Sequence, residues 1–284
     1  MSWCEIRFPK HVYAGQGCLE GVAETVRRAG AMRVCVVTDA SMIALGLCDR
    51  VCGALGMDAA RVGSVPAEPT VDDLLRVFSE VLSNTPDFLI AVGGGSVMDV
   101  GKLVSAMLTN PAFAANPRDA SLIQSAPVPL AAVPTTAGTG SEATANAILL
   151  FPEEALKVGI IHPRLLPPCV ALDPDMTVSL PRGLTATTGV DALCHAVESF
   201  WSKKNNPLSE PLALAAIERI TRSLERACAD GADIAAREDL QIGAFYAGAC
   251  LTSSTTTAVH ALSYPLGGAF HVPHGLANAM LLPY

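Results

Sequence analysis

Asp191 and His195, in TTGVDALCHAVESF, offer a carboxylate and an imidazole to a single point in space. Side chains four positions apart on a helix share a face. Two more imidazoles, His260 and His274, flank the glycine- and proline-rich stretch AVHALSYPLGGAFHVPHG. There Pro265, Gly267, Gly268 and Pro273 are expected to interrupt any helix and let the second histidine fold back toward the first. Three imidazoles and one carboxylate form a mixed nitrogen and oxygen shell suited to divalent Fe, Zn, Mn or Co. Any one of these histidines alone is more ordinarily a core or surface residue. The pattern of four is what points to a metal.

A second pattern carries phosphate chemistry. Gly93, Gly94, Gly95 and Ser96 follow the apolar run DFLIAV and precede VMDVGKLVSAML, whose apolar spacing is helical. Glycines between a strand and a helix let backbone N–H groups approach a phosphate, and the helix N-terminus favours its charge. The glycines do not spell G-x-G-x-x-G, so a plain tight turn is an equal reading. Thr135, Thr136, Gly138, Thr139 and Gly140 form a second hydroxyl- and glycine-rich loop after another strand, and two such loops suggest a pyrophosphate cradle. Asp39, at the end of the strand RVCVVT, is placed to bind adenosine ribose hydroxyls and to repel a 2′-phosphate, favouring NAD over NADP. A helix N-cap is the equal alternative for Asp39. Asp99 and Lys102 fall in the helix after the glycines, where either could face solvent, and Asp99, in the first turn, is the one expected beside the cofactor.

The elements that must hold these groups are legible in outline. Strands at Arg33–Thr38, Asp87–Val92 and Val128–Val133 alternate with helical patterns, the sign of βαβ units and a mainly parallel sheet whose strand ends line one edge. Ser96 is expected to cap the helix after the glycines. From about Leu180 the chain turns helical, with Ala186–Trp201, Pro211–Ala229 and Ile234–Cys250 the clearest segments. Pro174 and Pro181 bracket the change, giving a dinucleotide-binding α/β domain at 1–178 and a helical metal and substrate domain at 179–284.

Composition removes other function classes. The 284 residues carry a net charge of -8 with no Lys/Arg cluster, so neither nucleic acid nor an anionic membrane is expected as a partner. Ser121–Ser141 is uncharged but broken by Pro127, Pro129 and Pro134, and MSWCEIRFPKHVYAG lacks the apolar core of a signal peptide. Nine scattered cysteines without a Cys-x-x-Cys pair fit reduced thiols and a cytoplasmic protein. Asp239 is the last Asp, Glu, Lys or Arg, and the chain closes on AMLLPY. An uncharged end of this kind belongs in an interior, so truncation of the C-terminus or a covering partner is expected.

With the motifs assembled, the chain resembles the iron-containing (group III) alcohol dehydrogenase family along essentially its whole length. The resemblance rests on GGGSVMDVGK at 93–102, PTTAGTGSEAT at 134–144, DALCHAVE at 191–198 and HALSYPLGGAFHVPHG at 260–275. It implies a Rossmann-like α/β domain followed by an all-helical metal-binding domain, a dehydroquinate synthase-like architecture here C-terminally truncated, with a cleft for nicotinamide, metal and substrate. It implies Fe2+, with Zn2+ the alternative, held by Asp191, His195, His260 and His274. Gly94, Gly95, Ser96 and Asp99 take positions around the pyrophosphate of NAD, Thr135 and Thr136 lie along the cofactor, Asp39 takes the ribose, and Lys157 resembles a lysine near the nicotinamide ribose. Tyr264 departs from the pattern, standing where many relatives have a further histidine. Its phenol is expected to orient an alcohol, and His271 is a candidate for the proton transfer, with a solvent-facing histidine the plainer reading.

The implied reaction is interconversion of a small primary alcohol or hydroxy acid and its aldehyde with NAD(H). A hydroxyacid–oxoacid transhydrogenase, a zinc polyol dehydrogenase and an inactive NAD- and metal-binding subunit stand as alternatives, and a homo-oligomer is left open.

Overall fold

The computed structural model describes residues 3–154, 156–270 and 272–284. The chain runs β1 (His11–Ala14), α1 (Leu19–Arg28), β2 (Val34–Thr38), α2 (Ala40–Ala44), α3 (Leu47–Leu55), β3 (Ala59–Val62), α4 (Val71–Ser83), β4 (Phe88–Gly93), α5 (Gly95–Met107) and α6 (Pro111–Ala115). It continues through β5 (Leu130–Pro134), β6 (Asn146–Phe151), β7 (Leu156–Ile161) and β8 (Cys169–Leu172). The helices α7 (Arg182–Trp201), α8 (Glu210–Ala229), α9 (Ile234–Cys250), α10 (Ala258–Phe270) and α11 (His274–Leu281) complete it. Two compact units result, one of Pro9–Thr135 with Ala145–Met176, the other of Met1–Phe8 with Thr136–Thr144 and Thr177–Tyr284. The hydroxyl- and glycine-rich segment after β5 is thus grouped with the helices, although it lies within 1–178.

The first unit is a six-stranded parallel sheet in the order β1-β8-β5-β4-β2-β3, with β6 and β7 forming a separate antiparallel pair. VCVVT, FLIAVG and LAAVP are buried along their whole length. Continuous apolar runs of this kind are what a parallel sheet covered on both faces demands. Register pairs Thr38 with Val92 and Gly93 with Pro134, so the carboxyl ends of β2, β4 and β5 lie side by side, as expected. The helix after β4 packs tightly on the sheet, because a Cβ at Gly101 would lie 2.8 Å from that of Ala91.

That helix starts earlier than expected. Gly94 is its N-cap, with its carbonyl accepting from the Met98 N–H, so Ser96 sits inside the first turn and does not cap it. The glycine run brings the chain into helical geometry before a hydroxyl is needed.

In the second unit, α7, α8 and α9 pack through alanines: Ala192 and Ala196 meet Ala216, Ala227, Ala236, Ala244 and Ala247 around Ile220 and Leu240. Small residues let the helix axes approach closely. The buried Arg237 guanidinium ties the start of α7 to α9, donating to Thr185 Oγ1 at 2.8 Å and to the carbonyls of Leu180 and Gly231. Against expectation, α10 runs through Pro265 to Phe270, and α11 begins at His274 directly after Pro273. Loss of one ladder bond at Pro265 is tolerated in a helix whose start is anchored by other means, described below. Among the described residues no helix is long and apolar enough to cross a membrane.

Gly140, with φ of 60°, begins the short turn Ser141–Ala143. A Cβ there would lie 2.6 Å from Gly248 Cα and 2.7 Å from the Ala244 carbonyl of α9. Gly140→Ala combines left-handed backbone strain with a backbone clash and is expected to cost about 2–4 kcal/mol. Urea unfolding measures this, and a loss below about 0.5 kcal/mol would show that the loop is not seated on α9 as described.

Candidate metal and dinucleotide sites

α7 is buried on more than one side. Its alanine stripe packs on α8 and α9, while Asp191, His195 and Glu198, at i, i+4 and i+7, form a buried polar stripe. α10 and α11 both pack on α7. From α10 comes His260, and one ligand atom each of Asp191, His195 and His260 lies within 4.8 Å of the others. His274, the first residue of α11, falls outside that compact trio, yet its Nε2 is 3.5 Å from Asp191 Oδ1. Its ring lies edge-on to His260 at 5.3 Å.

Glu198 anchors the start of α10. Its Oε1 accepts from the backbone N–H of Thr257 at 2.8 Å and of Val259 at 2.8 Å, from the Thr257 hydroxyl at 2.9 Å, and from the His260 N–H at 3.4 Å. Its Oε2 pairs with His260 Nδ1. A second unanticipated residue is Asn278, fully buried on α11. Its Nδ2 lies 2.7 Å from Asp191 Oδ1 and 3.3 Å from both His260 Nε2 and His274 Nε2, near the point where those atoms converge. Both residues stand at readable offsets, Glu198 three after His195 and Asn278 four after His274. An asparagine, however, does not advertise a ligand, and Glu198 is turned to the α10 backbone.

The electrostatics match a cation site. Burial works to raise the Asp191 carboxyl, but His195, His260 and His274 more than reverse it and hold the group well below the usual carboxylate range. Burial likewise opposes ionisation of Glu198, yet its hydrogen bonds from His260 and Thr257 keep it an anion. For His260, burial is outweighed by the hydrogen bonds with Asp191 and Glu198, so its pKa is raised. Burial pushes His195 down to about 4, leaving a neutral imidazole, and its Nδ1 is buried without a hydrogen-bond partner. Two buried carboxylates around neutral and basic imidazoles need positive charge nearby, because an uncompensated buried anion costs several kcal/mol. A divalent ion suits both that charge and this donor set.

Of the expected dinucleotide residues, Asp39, Gly94 and Thr135 directly follow the carboxyl ends of β2, β4 and β5. Gly94, Gly95 and Ser96 form the turn and first residues of α5, and Thr135 N–H donates to the Gly93 carbonyl at 2.9 Å, joining the two strand ends. Asp39 Oδ1 accepts from Ser41 N–H at 2.7 Å and Met42 N–H at 3.1 Å, the N-cap arrangement weighed from the sequence. Asp99 turns toward β6, where Oδ2 accepts from Ile148 N–H at 3.0 Å, and toward Lys102 Nζ at 3.5 Å. Ser96 and Lys157 meet through Glu68, which carries no signal in the sequence. The Glu68 N–H donates to Ser96 Oγ at 3.3 Å and its Oε1 accepts from Lys157 Nζ at 2.7 Å. Glu68 has φ of 52°, an unusual conformation for a non-glycine residue. Thr136 belongs to the other unit with Gly138 and Gly140, whose missing Cβ atoms allow close packing on Thr188 and Gly248. Tyr264, about half exposed, stacks on His274 with ring centroids 5.8 Å apart. His271 lies outside the described residues.

Comparison with known proteins identifies the family. Residues 9–174 match the family model described as iron-containing alcohol dehydrogenase, and residues 185–284 match that of the Fe-containing alcohol dehydrogenase family, C-terminal. The long-chain-alcohol dehydrogenase 1 of Geobacillus thermodenitrificans is 38% identical, covering 100% of this chain and 73% of its own length. The structure of a 1,3-propanediol oxidoreductase superposes with a TM-score of 0.92 at 32% identity over 99% of this chain and 74% of that one. The sulfoacetaldehyde reductase of Bifidobacterium kashiwanohense, solved in complex with NAD+, does so at 0.92 with 28% identity over 100% and 76%. The chain belongs to the iron-containing alcohol dehydrogenase family, metal-dependent oxidoreductases of alcohols and aldehydes.

Proposed function

We propose that this chain, an NAD(H)- and metal-dependent oxidoreductase by family, interconverts a small primary alcohol or hydroxy acid and its aldehyde at the Asp191, His195 and His260 cluster. The observation that carries the reading is the burial of these three groups with ligand atoms within 4.8 Å of one another. Asp191, His195, His260 and His274 would hold the ion. When bound, a divalent ion supplies Lewis acidity toward an alcohol oxygen and NAD+ supplies the hydride acceptor.

The chain's own residues set the conditions for that chemistry. Asp191 would be the one anionic group among the four proposed ligands, the others being imidazoles. Burial of Ala192 and Ala196 behind the ligand stripe keeps water from that side of α7. Tyr264, stacked on His274, is placed to orient an alcohol hydroxyl through its phenol. On the dinucleotide side, the start of α5 at Gly94, Gly95 and Ser96 offers backbone N–H groups to a pyrophosphate. Thr135, Thr136, Asp99 and Lys157 complete the proposed set along the cofactor. Asp39 would discriminate NAD from NADP by repelling a 2′-phosphate, and its N-cap role is compatible because both bonds fall on Oδ1.

Metal content and NAD(H)-coupled turnover on alcohols and hydroxy acids of two to five carbons, extended to long-chain alcohols, test the reading. Turnover is expected on the short substrates, and His260→Ala should lose the ion and lower kcat/KM by roughly a thousandfold, the several kcal/mol of a Lewis acid. Undiminished turnover after complete chelation would contradict it, and activity confined to long chains would overturn the substrate class. For the coenzyme, Asp39→Ser is expected to cut the NAD over NADP preference by about tenfold, ~1.4 kcal/mol. An unchanged ratio of kcat/KM values would assign Asp39 to helix capping alone.

A further inference from the structure

We infer that Glu198 is the residue that makes His260 a metal ligand, by fixing its ring proton on Nδ1 and leaving Nε2 to face Asp191. This rests on the metal-site reading above and adds a positioning residue to it. His260 Nδ1 pairs with Glu198 Oε2, while Nε2 lies 3.5 Å from Asp191 Oδ1. In the form that can bind an ion the imidazole carries one proton, and an acceptor-only carboxylate at Nδ1 keeps it there. Nε2 is then the nitrogen with a lone pair to give, and it is the one aimed at the cluster. Metal-bound histidines generally depend on such a partner for ring orientation and basicity.

The backbone contacts make the role testable without dismantling the helix. Four donors converge on Oε1: Thr257 N–H, Thr257 hydroxyl, Val259 N–H and His260 N–H. In Glu198→Gln the amide oxygen is the sole acceptor on the side chain, so it must keep Oε1's place, and the NH2 group falls against Nδ1. An amide donor there makes Nδ1 the acceptor and moves the imidazole proton to Nε2. The anchor of α10 survives, and the ligand nitrogen is blocked. Glu198→Ala removes both functions, leaving the half-buried Thr257 and Val259 donors without their acceptor.

The experiment uses Zn2+ binding by chelator competition on the whole chain, thermal unfolding of the metal-free protein, and 15N NMR of the His260 ring. Glu198→Gln is expected to bind Zn2+ about 10–100-fold more weakly than the parent. Its metal-free unfolding temperature should fall much less than that of Glu198→Ala, and the Nδ1-bound proton present in the parent should be lost. Glu198→Ala should lose affinity and stability together. Parent-like Zn2+ affinity in Glu198→Gln, or a retained Nδ1 proton, would overturn the inference. Failure of the parent itself to bind Zn2+ would instead strike the metal-site reading, and the ring-proton comparison would still decide the role of Glu198.

Discussion

Burial of two carboxylates on α7 is the constraint around which the helical unit is organised. Asp191 and Glu198 are both nearly inaccessible, and a buried anion persists only when donors or cations meet it. Glu198 is met by the first turn of α10, Asp191 by the imidazoles of α7, α10 and α11 and by the Asn278 amide. The helices must therefore converge on one face of α7, and the ligand cluster arises where they do. The opposite requirement, a close helix bundle, is met by alanines on α7's other side, which is why this helix shows little amphipathic character.

At the sheet the controlling feature is backbone approach. β4 and β5 are hydrogen-bonded up to Gly93 and Pro134, and the chain leaves β4 through glycine. The glycines divide by task. Those of 93–95 form the turn into α5, whereas Gly138 and Gly140 allow a loop to lie directly on α7 and α9. Similar composition in the two loops thus reflects different physical needs.

Much of this was legible in the residues. Continuous apolar runs identified β2, β4 and β5, and the i, i+4 spacing placed Asp191 and His195 on one helix face. Segments expected at Ala186–Trp201 and Ile234–Cys250 form as α7 and α9, the first beginning four residues earlier. Local propensity misjudged Pro265, because the anchoring of α10 by Glu198 is a contact between residues about 60 positions apart that no local rule contains. Glu198, Asn278 and Glu68 escaped notice for a related reason. A carboxylate that accepts backbone N–H groups and an amide set among ligands have no composition signature; only the convergence of helices gives them their partners.

The central claim is that α7, α10 and α11 build one cation site from Asp191, His195 and His260, with His274 beside them. Anomalous diffraction at the metal absorption edge, on crystals of the protein grown with Zn2+ or Fe2+, tests this most directly. The account predicts an anomalous peak bonded to Asp191 Oδ1 and to His260 Nε2, with the His195 and His274 rings completing the shell. A peak elsewhere, or none at these residues in metal-saturated crystals, would contradict it.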